Sequence, residues 1–402
     1  MIDRIERFFG IDSPLQRAPA FGGRAYEHRP QQLAMALAVA SHLEDGRSLC
    51  VEAPTGVGKT FAYLVPAILY ATTRQVTVVV ATHTISLQEQ ILQKDVPVLA
   101  ELLGVPFTTA LAKGRSNYVC LRRLQAMGEI DAERFTAEGM VKELQAIWSW
   151  VGGSSTGCLG DLGFEPSRPL WEAICCERGN CLNAHCPNVR QCFLMRARGQ
   201  LQKANLVVAN HALFFSDLAM KREGQSEEGG VLPAYAAVVL DEAHLVEDCA
   251  ADHLGLQAGS FAIRRALRRL YHHDTDRGLL ADGPWAEARD AVTRAAQASD
   301  LFFGRVAEWL DPQPQDPLRY TSPGHIPNYL DTPLLQAGQA VAGVAQGLLD
   351  DPQTEGTAHE IKAIGEQLET QRLNLRRFLD MEAEEHVYWF ERHGKDRREV
   401  LL

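Results

Sequence analysis

The 402-residue chain is 46% apolar and 23% charged, the balance of a folded protein with room for about two or three domains. A net charge of −11 excludes an all-over positive coat but not local basic strips, and no run reaches the roughly 18 apolar residues of a membrane helix. Met1–Pro14 is polar and carries acids, unlike a leader, so the expected location is cytoplasmic, where nine cysteines do not read as a disulfide framework.

In chain order, Met1–Arg24 predicts a short helix and then a Pro/Gly-containing lead-in. Tyr26–Gln32 (YEHRPQQ) opens an amphipathic helix over Leu33–Leu43, with a proline near its start. A Gln amide both donates and accepts, which matches adenine's edge, so Gln32 is the expected adenine reader. Leu49–Glu52 reads as a short buried strand and Phe61–Tyr70 as a helix. Between them, Ala53, Pro54, Thr55, Gly56, Val57, Gly58, Lys59 and Thr60 fit a phosphate loop with Ala in place of the usual first Gly. Gly56 and Gly58 permit positive φ, which turns backbone N–H groups toward an anion at the helix start. Lys59 would reach the β- and γ-phosphates of ATP, and Thr60 would ligate Mg²⁺. The bland alternative is a chance glycine turn before a core helix; the flanking strand and helix argue against it.

Val76–Thr82 (VTVVVAT) predicts a strand buried on both faces. Thr82, Thr84 and Gln88 follow at its end, where open α/β sheets bind ligands, and would hold a nucleic-acid backbone; helix capping by Thr84 or Ser86 is the plain alternative. Leu111–Leu124 carries Lys113, Arg115, Arg122 and Arg123 with Tyr118 and no acid, a composition suited to single-stranded nucleic acid or to a solvated basic helix face. Asp131–Trp171 is mixed, with a helix over Met140–Trp150 and a Gly/Ser-rich Gly152–Gly160, and reads as an insertion between sheet strands.

Five cysteines crowd between Cys175 and Cys192. The spacing Cys181-x4-Cys186-x5-Cys192 points to a metal. Zinc would take four thiolates, or three and His185; an iron–sulfur cluster would take four thiolates, the fourth from Cys120, Cys158, Cys175 or Cys176. Phe193–Lys203 adds Arg196, Arg198 and Lys203 as a second basic patch.

Leu206–Asn210 and Ala237–Asp241 predict two more strands. The second runs into Asp241-Glu242-Ala243-His244, the acidic half expected of an NTPase site. Asp241 would hold the Mg²⁺ shell, Glu242 would polarise the attacking water, and His244 would couple the site to nucleic acid. N-terminal helix capping is the alternative for the acids. Beyond Ala250 the pattern is helical over Phe261–His273, Trp285–Leu310 and Thr357–Met381, broken at Asp311–Asn328 and Asp350–Gly356, with Arg264, Arg265, Arg268 and Arg269 forming a basic stretch. A strand is expected at Val387–Glu391.

Together these stretches resemble the DinG branch of the XPD-like superfamily-two iron–sulfur helicases. The carriers are HRPQQ, APTGVGKT, ATHTISLQEQ, KGRSNYVC, CLNAHCPNVRQCF with MRAR after it, VVANHALF and VVLDEAH, over Tyr26–Asp248. The resemblance implies an α/β fold: a RecA-like lobe over 1–110 and 204–249, an inserted cluster domain over 111–203, a helical arch over 250–385, and the start of a return to the lobe over 386–402. It implies a [4Fe-4S] cluster on Cys120, Cys181, Cys186 and Cys192. It also implies ATP-driven 5′→3′ translocation on single-stranded DNA, separation of forked duplexes, and roles in repair and replication, with no membrane partner. The family's second-lobe motifs do not follow Asp248, so this chain alone is expected to bind DNA without unwinding it. Two other readings are a kinase-like phosphate-loop enzyme acting on a small molecule, and a metal-cluster nucleic-acid-binding or redox-sensing module without unwinding activity.

Overall fold

A computed structural model describes residues 1–17, 27–129, 138–222, 230–313, 316–351, 354–393 and 399–401. The lead-in to Arg24 from residue 18 onward, Tyr26, and residues 131–137 of the mixed stretch lie outside the described residues. The chain divides into two compact units, one of Met1–Cys176 with Asn183–Gly255 and one of Glu177–Leu182 with Leu256–Leu402.

The first unit is built on a parallel four-stranded sheet. Its helices α1 (Ile2–Phe9), α2 (Pro30–Asp45) and α3 (Lys59–Arg74) precede β1 (Val78–Thr82). Then come α4 (Ile85–Gln90), α5 (Val96–Leu103), β2 (Thr109–Leu111), α6 (Leu121–Glu129), α7 (Glu138–Gly153), α8 (Arg168–Ile174), α9 (Phe193–Leu201) and β3 (Leu206–Asn210). α10 (His211–Arg222), β4 (Ala237–Leu240) and α11 (Val246–Leu254) complete it. Strand order is β2-β3-β1-β4, with Val78 opposite both Leu206 and Ala237.

The β-branched runs explain why this sheet forms. Val78, Val80, Leu206 and Val208 pack into one core with α1, α2, α3 and α5; Val79, Ala81, Val207 and Ala209 pack into another with Phe214 and Phe215 of α10. Alternate residues thus serve opposite faces, and each buried Val contributes about 1.5–3 kcal/mol. A third cluster, around Tyr118, Ile147, Trp171, Cys175, Cys176 and Phe193, gathers α7, α8 and α9. This mixed α/β arrangement fits a RecA-like lobe.

Leu49–Glu52 is a correction: it is not a strand. Among the described residues the outer edge of β4 pairs with no further strand. Leu49 and Val51, each 39% exposed, line a cavity of about 820 Å³ together with Ala237–Leu240. Apolar residues become a strand only when they pair with a neighbouring edge about 4.8 Å away, and here the cavity separates Leu49–Glu52 from the β4 edge.

The second unit holds α12 (Ser260–Leu270), α13 (Ala286–Leu310), α14 (Asp331–Leu348) and α15 (Glu355–Asp380) with an antiparallel sheet of β5 (Leu318–Tyr320), β6 (Tyr388–His393) and β7 (Glu399–Leu401). Sequence reasoning missed α14, β5 and β7. The strand expected at Val387–Glu391 is β6, and it pairs inside this unit. Glu177 belongs here too: Arg269 of α12 grips it through Nη1 and Nη2 at 2.6 and 2.9 Å and reaches Glu360 of α15 at 2.7 Å.

Candidate nucleotide site, basic crevice and cysteine loop

The glycine loop takes the backbone its composition allows. Gly56 and Gly58 have φ of 87° and 89°, and α3 begins at Lys59. Gln32, 4% exposed, donates from Nε2 to the Gly58 carbonyl at 2.9 Å, and Arg29 Nη1 donates to the Gly56 carbonyl. The amide expected to read adenine is therefore bonded to the loop itself. Lys59 Nζ donates to the Ala53 carbonyl at 3.2 Å, across the turn.

The acidic motif lies in the same unit, at the end of β4. The Asp241 N–H donates to the Ala81 carbonyl at 2.8 Å, which ties the motif to β1. Its Oδ1 accepts from the Glu242 N–H at 3.1 Å, and its Oδ2 accepts from the Tyr63 hydroxyl at 3.0 Å. Tyr63 stands on α3, one turn beyond the loop. Burial, and then the Asp241 charge, push the Tyr63 hydroxyl well above the usual phenol range. Glu242 adopts a left-handed backbone, φ 52°, a strain that collects at functional sites. His244 is exposed and lies 3.5 Å from Glu242.

Residues 29–130 match a family model described as DEAD/DEAH box helicase. Over this stretch the chain is similar to DEAD/DEAH box helicase domains. The match covers the glycine loop and β1, and the acidic motif lies beyond it. The chain is 33% identical over 234 residues to the ATP-dependent DNA helicase YoaA of Haemophilus influenzae, covering 58% of this chain and 35% of that one. It is 33% identical over 253 residues to YoaA of Escherichia coli, covering 61% and 37%. It is 35% identical over 267 residues to the ATP-dependent helicase DinG of Mycobacterium tuberculosis, covering 62% and 39%. The chain thus spans little more than a third of the length of these relatives.

Within the matched stretch, two residues expected to hold nucleic acid are turned inward. Thr82 is 0% and Gln88 3% exposed, and among the described residues the Thr82 Oγ1 has no hydrogen-bond partner. Thr84 caps α4, accepting from the Leu87 N–H at 3.2 Å, which is the plain alternative considered for it. Nearby, buried His211 places Nε2 3.1 Å from the Ala81 carbonyl, and desolvation lowers its pKa.

Lys113 and Arg115, from the matched stretch, share one crevice with Tyr118 and with Arg198 of α9. The Lys113 Nζ donates to the Cys158 Sγ at 3.2 Å. Arg196 is engaged elsewhere, donating to the Ser155 carbonyl at 3.0 Å and lying 5.5 Å from the centre of the Phe193 ring.

The Cys120 thiol is drawn down to about 6, chiefly by a hydrogen bond with Cys176. Cys192 is the N-cap residue of α9. That donor chemistry fits a metal or cluster. Cys181 falls in the second unit, and Cys120, Cys186 and Cys192 in the first. Among the described residues, no group of three or more His, Cys, Asp or Glu side chains is drawn together as a metal site.

Sequence reasoning missed Tyr63 and Arg29 as site residues. Tyr63 was legible in outline: it stands three residues after Thr60 and four after Lys59, on the same face of a helix.

Proposed function

We propose that this chain is the nucleotide- and DNA-binding part of an ATP-dependent DNA helicase of the DinG and YoaA kind. The observation that carries the reading is the hydrogen bond from Tyr63, on the helix the glycine loop opens, to Asp241 of the acidic motif. It sets the two expected halves of an ATP site against each other. In this reading Lys59 leaves the Ala53 carbonyl for the β- and γ-phosphates, and the N–H groups from Gly56 to Lys59 surround them. Thr60 and Asp241 hold Mg²⁺, and Glu242 polarises the attacking water. His244, exposed beside Glu242, passes the state of bound DNA to that carboxylate. Single-stranded DNA, including the loading strand of a fork, tracks over the crevice of Lys113, Arg115 and Arg198, and translocation runs 5′→3′.

Cys120, Cys181, Cys186 and Cys192 would hold a [4Fe-4S] cluster. Support for this comes from their spacing and from the acidity of Cys120. When bound, the cluster supplies a four-thiolate tie and a one-electron redox centre. Visible absorption together with iron and sulfide content of anaerobically prepared protein tests it: zinc, or no metal, overturns this assignment.

The functional test is ATP binding and single-stranded-DNA-stimulated hydrolysis, compared between the wild type and Lys59→Ala. Mg²⁺-dependent ATP binding that is lost in the variant and strengthened by DNA supports the reading. Nucleotide binding indifferent to both Lys59 and DNA overturns it, and favours the small-molecule alternative.

A further inference from the structure

The two groups expected to hold Mg²⁺ share a neighbour. The Tyr63 hydroxyl donates to Asp241 Oδ2 at 3.0 Å, and Tyr63 stands three residues after Thr60 on α3, on the same helix face. Tyr63 itself is 3% exposed, and Leu64, Ala67 and Ile68 beside it on α3 are fully buried. Its ring is therefore fixed by packing, and the hydroxyl occupies a set position. The other Asp241 oxygen accepts from the Glu242 N–H at 3.1 Å, so the carboxylate plane is held at both ends. Each oxygen keeps a further lone pair for a metal or its water shell.

We propose that Tyr63 is a positioning residue for the nucleotide-bound Mg²⁺, locking Asp241 at the end of β4 in register with α3, the helix that carries Thr60. The proposal rests on the reading of this site as one for Mg²⁺·ATP. Without the hydroxyl, the Asp241 carboxylate regains rotamer freedom that metal binding must then remove.

Calorimetric titration of residues 1–402 with ATP, in Mg²⁺ and in EDTA, tests this on the wild type, Tyr63→Phe, Asp241→Asn, the double variant and Lys59→Ala. Tyr63→Phe removes one oxygen and keeps the ring that fills the core. We expect it to cut the Mg²⁺-dependent gain in affinity about tenfold, the scale of one hydrogen bond to a charged group, with affinity in EDTA held within about twofold. Asp241→Asn removes the same gain, and adding Tyr63→Phe to it costs nothing more. The proposal is overturned if Tyr63→Phe keeps the full gain, if it loses affinity equally in EDTA, or if the two substitutions add. A different result marks failure of the underlying reading: a wild type with no Mg²⁺-dependent gain, or a Lys59→Ala variant that binds as well as wild type, removes the ATP site and the role of Tyr63 with it.

Discussion

Lys59 Nζ donates a hydrogen bond to the Ala53 carbonyl at 3.2 Å, closing the glycine loop on its own backbone. The ammonium thus has a partner before any anion arrives, and an incoming phosphate exchanges that partner rather than capturing a free charge. Lys59→Ala is expected to weaken ATP binding by about ten- to a hundredfold, the range for a hydrogen bond to a charged group. The half-exposed bond to Ala53 contributes little to folding, so the urea midpoint should scarcely move. A large fall in stability with unchanged ATP affinity would count against the role given to Lys59.

Gly56 and Gly58 make a matched pair. Both have positive φ, 87° and 89°, but a Cβ on Gly56 meets open space, whereas one on Gly58 runs into the Gln32 amide. Gly56→Ala should cost about 1 kcal/mol of backbone strain. Gly58→Ala should cost about 2–3 kcal/mol, because it also displaces Gln32 from the Gly58 carbonyl. Urea unfolding of both variants checks the order; equal losses would show that Gln32 simply moves aside.

Asp95 titrates in an informative window. Burial raises its carboxyl to about 6, against smaller opposing effects of Gln90 and Lys94. The folded state therefore holds this proton more tightly than the unfolded chain does. The stabilising contribution is full below the unfolded value near pH 4 and is lost as pH rises through about 6. Allowing for its partial exposure, the loss is about 1–2 kcal/mol. Asp95→Asn should flatten that part of the stability profile and raise the melting temperature at pH 7. A wild-type profile already flat between pH 4 and 6 would contradict the assignment.

The basic residues separate into two groups. Lys113, Arg115 and Arg198 line one crevice, while Arg196 is bonded to Ser155. Lys113→Ala and Arg198→Ala should each weaken single-stranded DNA binding and lower the salt slope by about 0.7, the value for one phosphate on a single strand. Arg196→Ala should change that slope little. Fluorescence anisotropy across a salt series reads all three, and a larger effect at Arg196 would move the DNA track.

Much of the architecture was legible from local pattern. The limits read for the strand Leu206–Asn210 are those of β3, and the run ending at Thr82 is β1 from Val78 onward. An uninterrupted β-branched segment has few options but a strand covered on both faces. The glycine loop and the acids after β4 were likewise visible, because each needs particular residue types at short range. Leu49–Glu52 fails that logic, since an apolar run of four cannot specify whether a neighbouring edge exists. α14 escaped notice because its buried face is built from Leu334, Ala337, Val341 and Ala345, small apolar residues spread thinly along a helix.

Residue types and spacing alone determined that this chain carries a glycine loop with a lysine, an acidic motif after a buried strand, and a dense run of cysteines. Only the tertiary structure decided that Thr82 and Gln88 turn inward, that Gln32 serves the loop, and that Tyr63 joins Asp241 across 178 residues of sequence. The physical reason is range. Backbone preference and burial periodicity act within a few residues, whereas a hydrogen bond between distant side chains depends on which strand edges and helix faces the whole fold brings together.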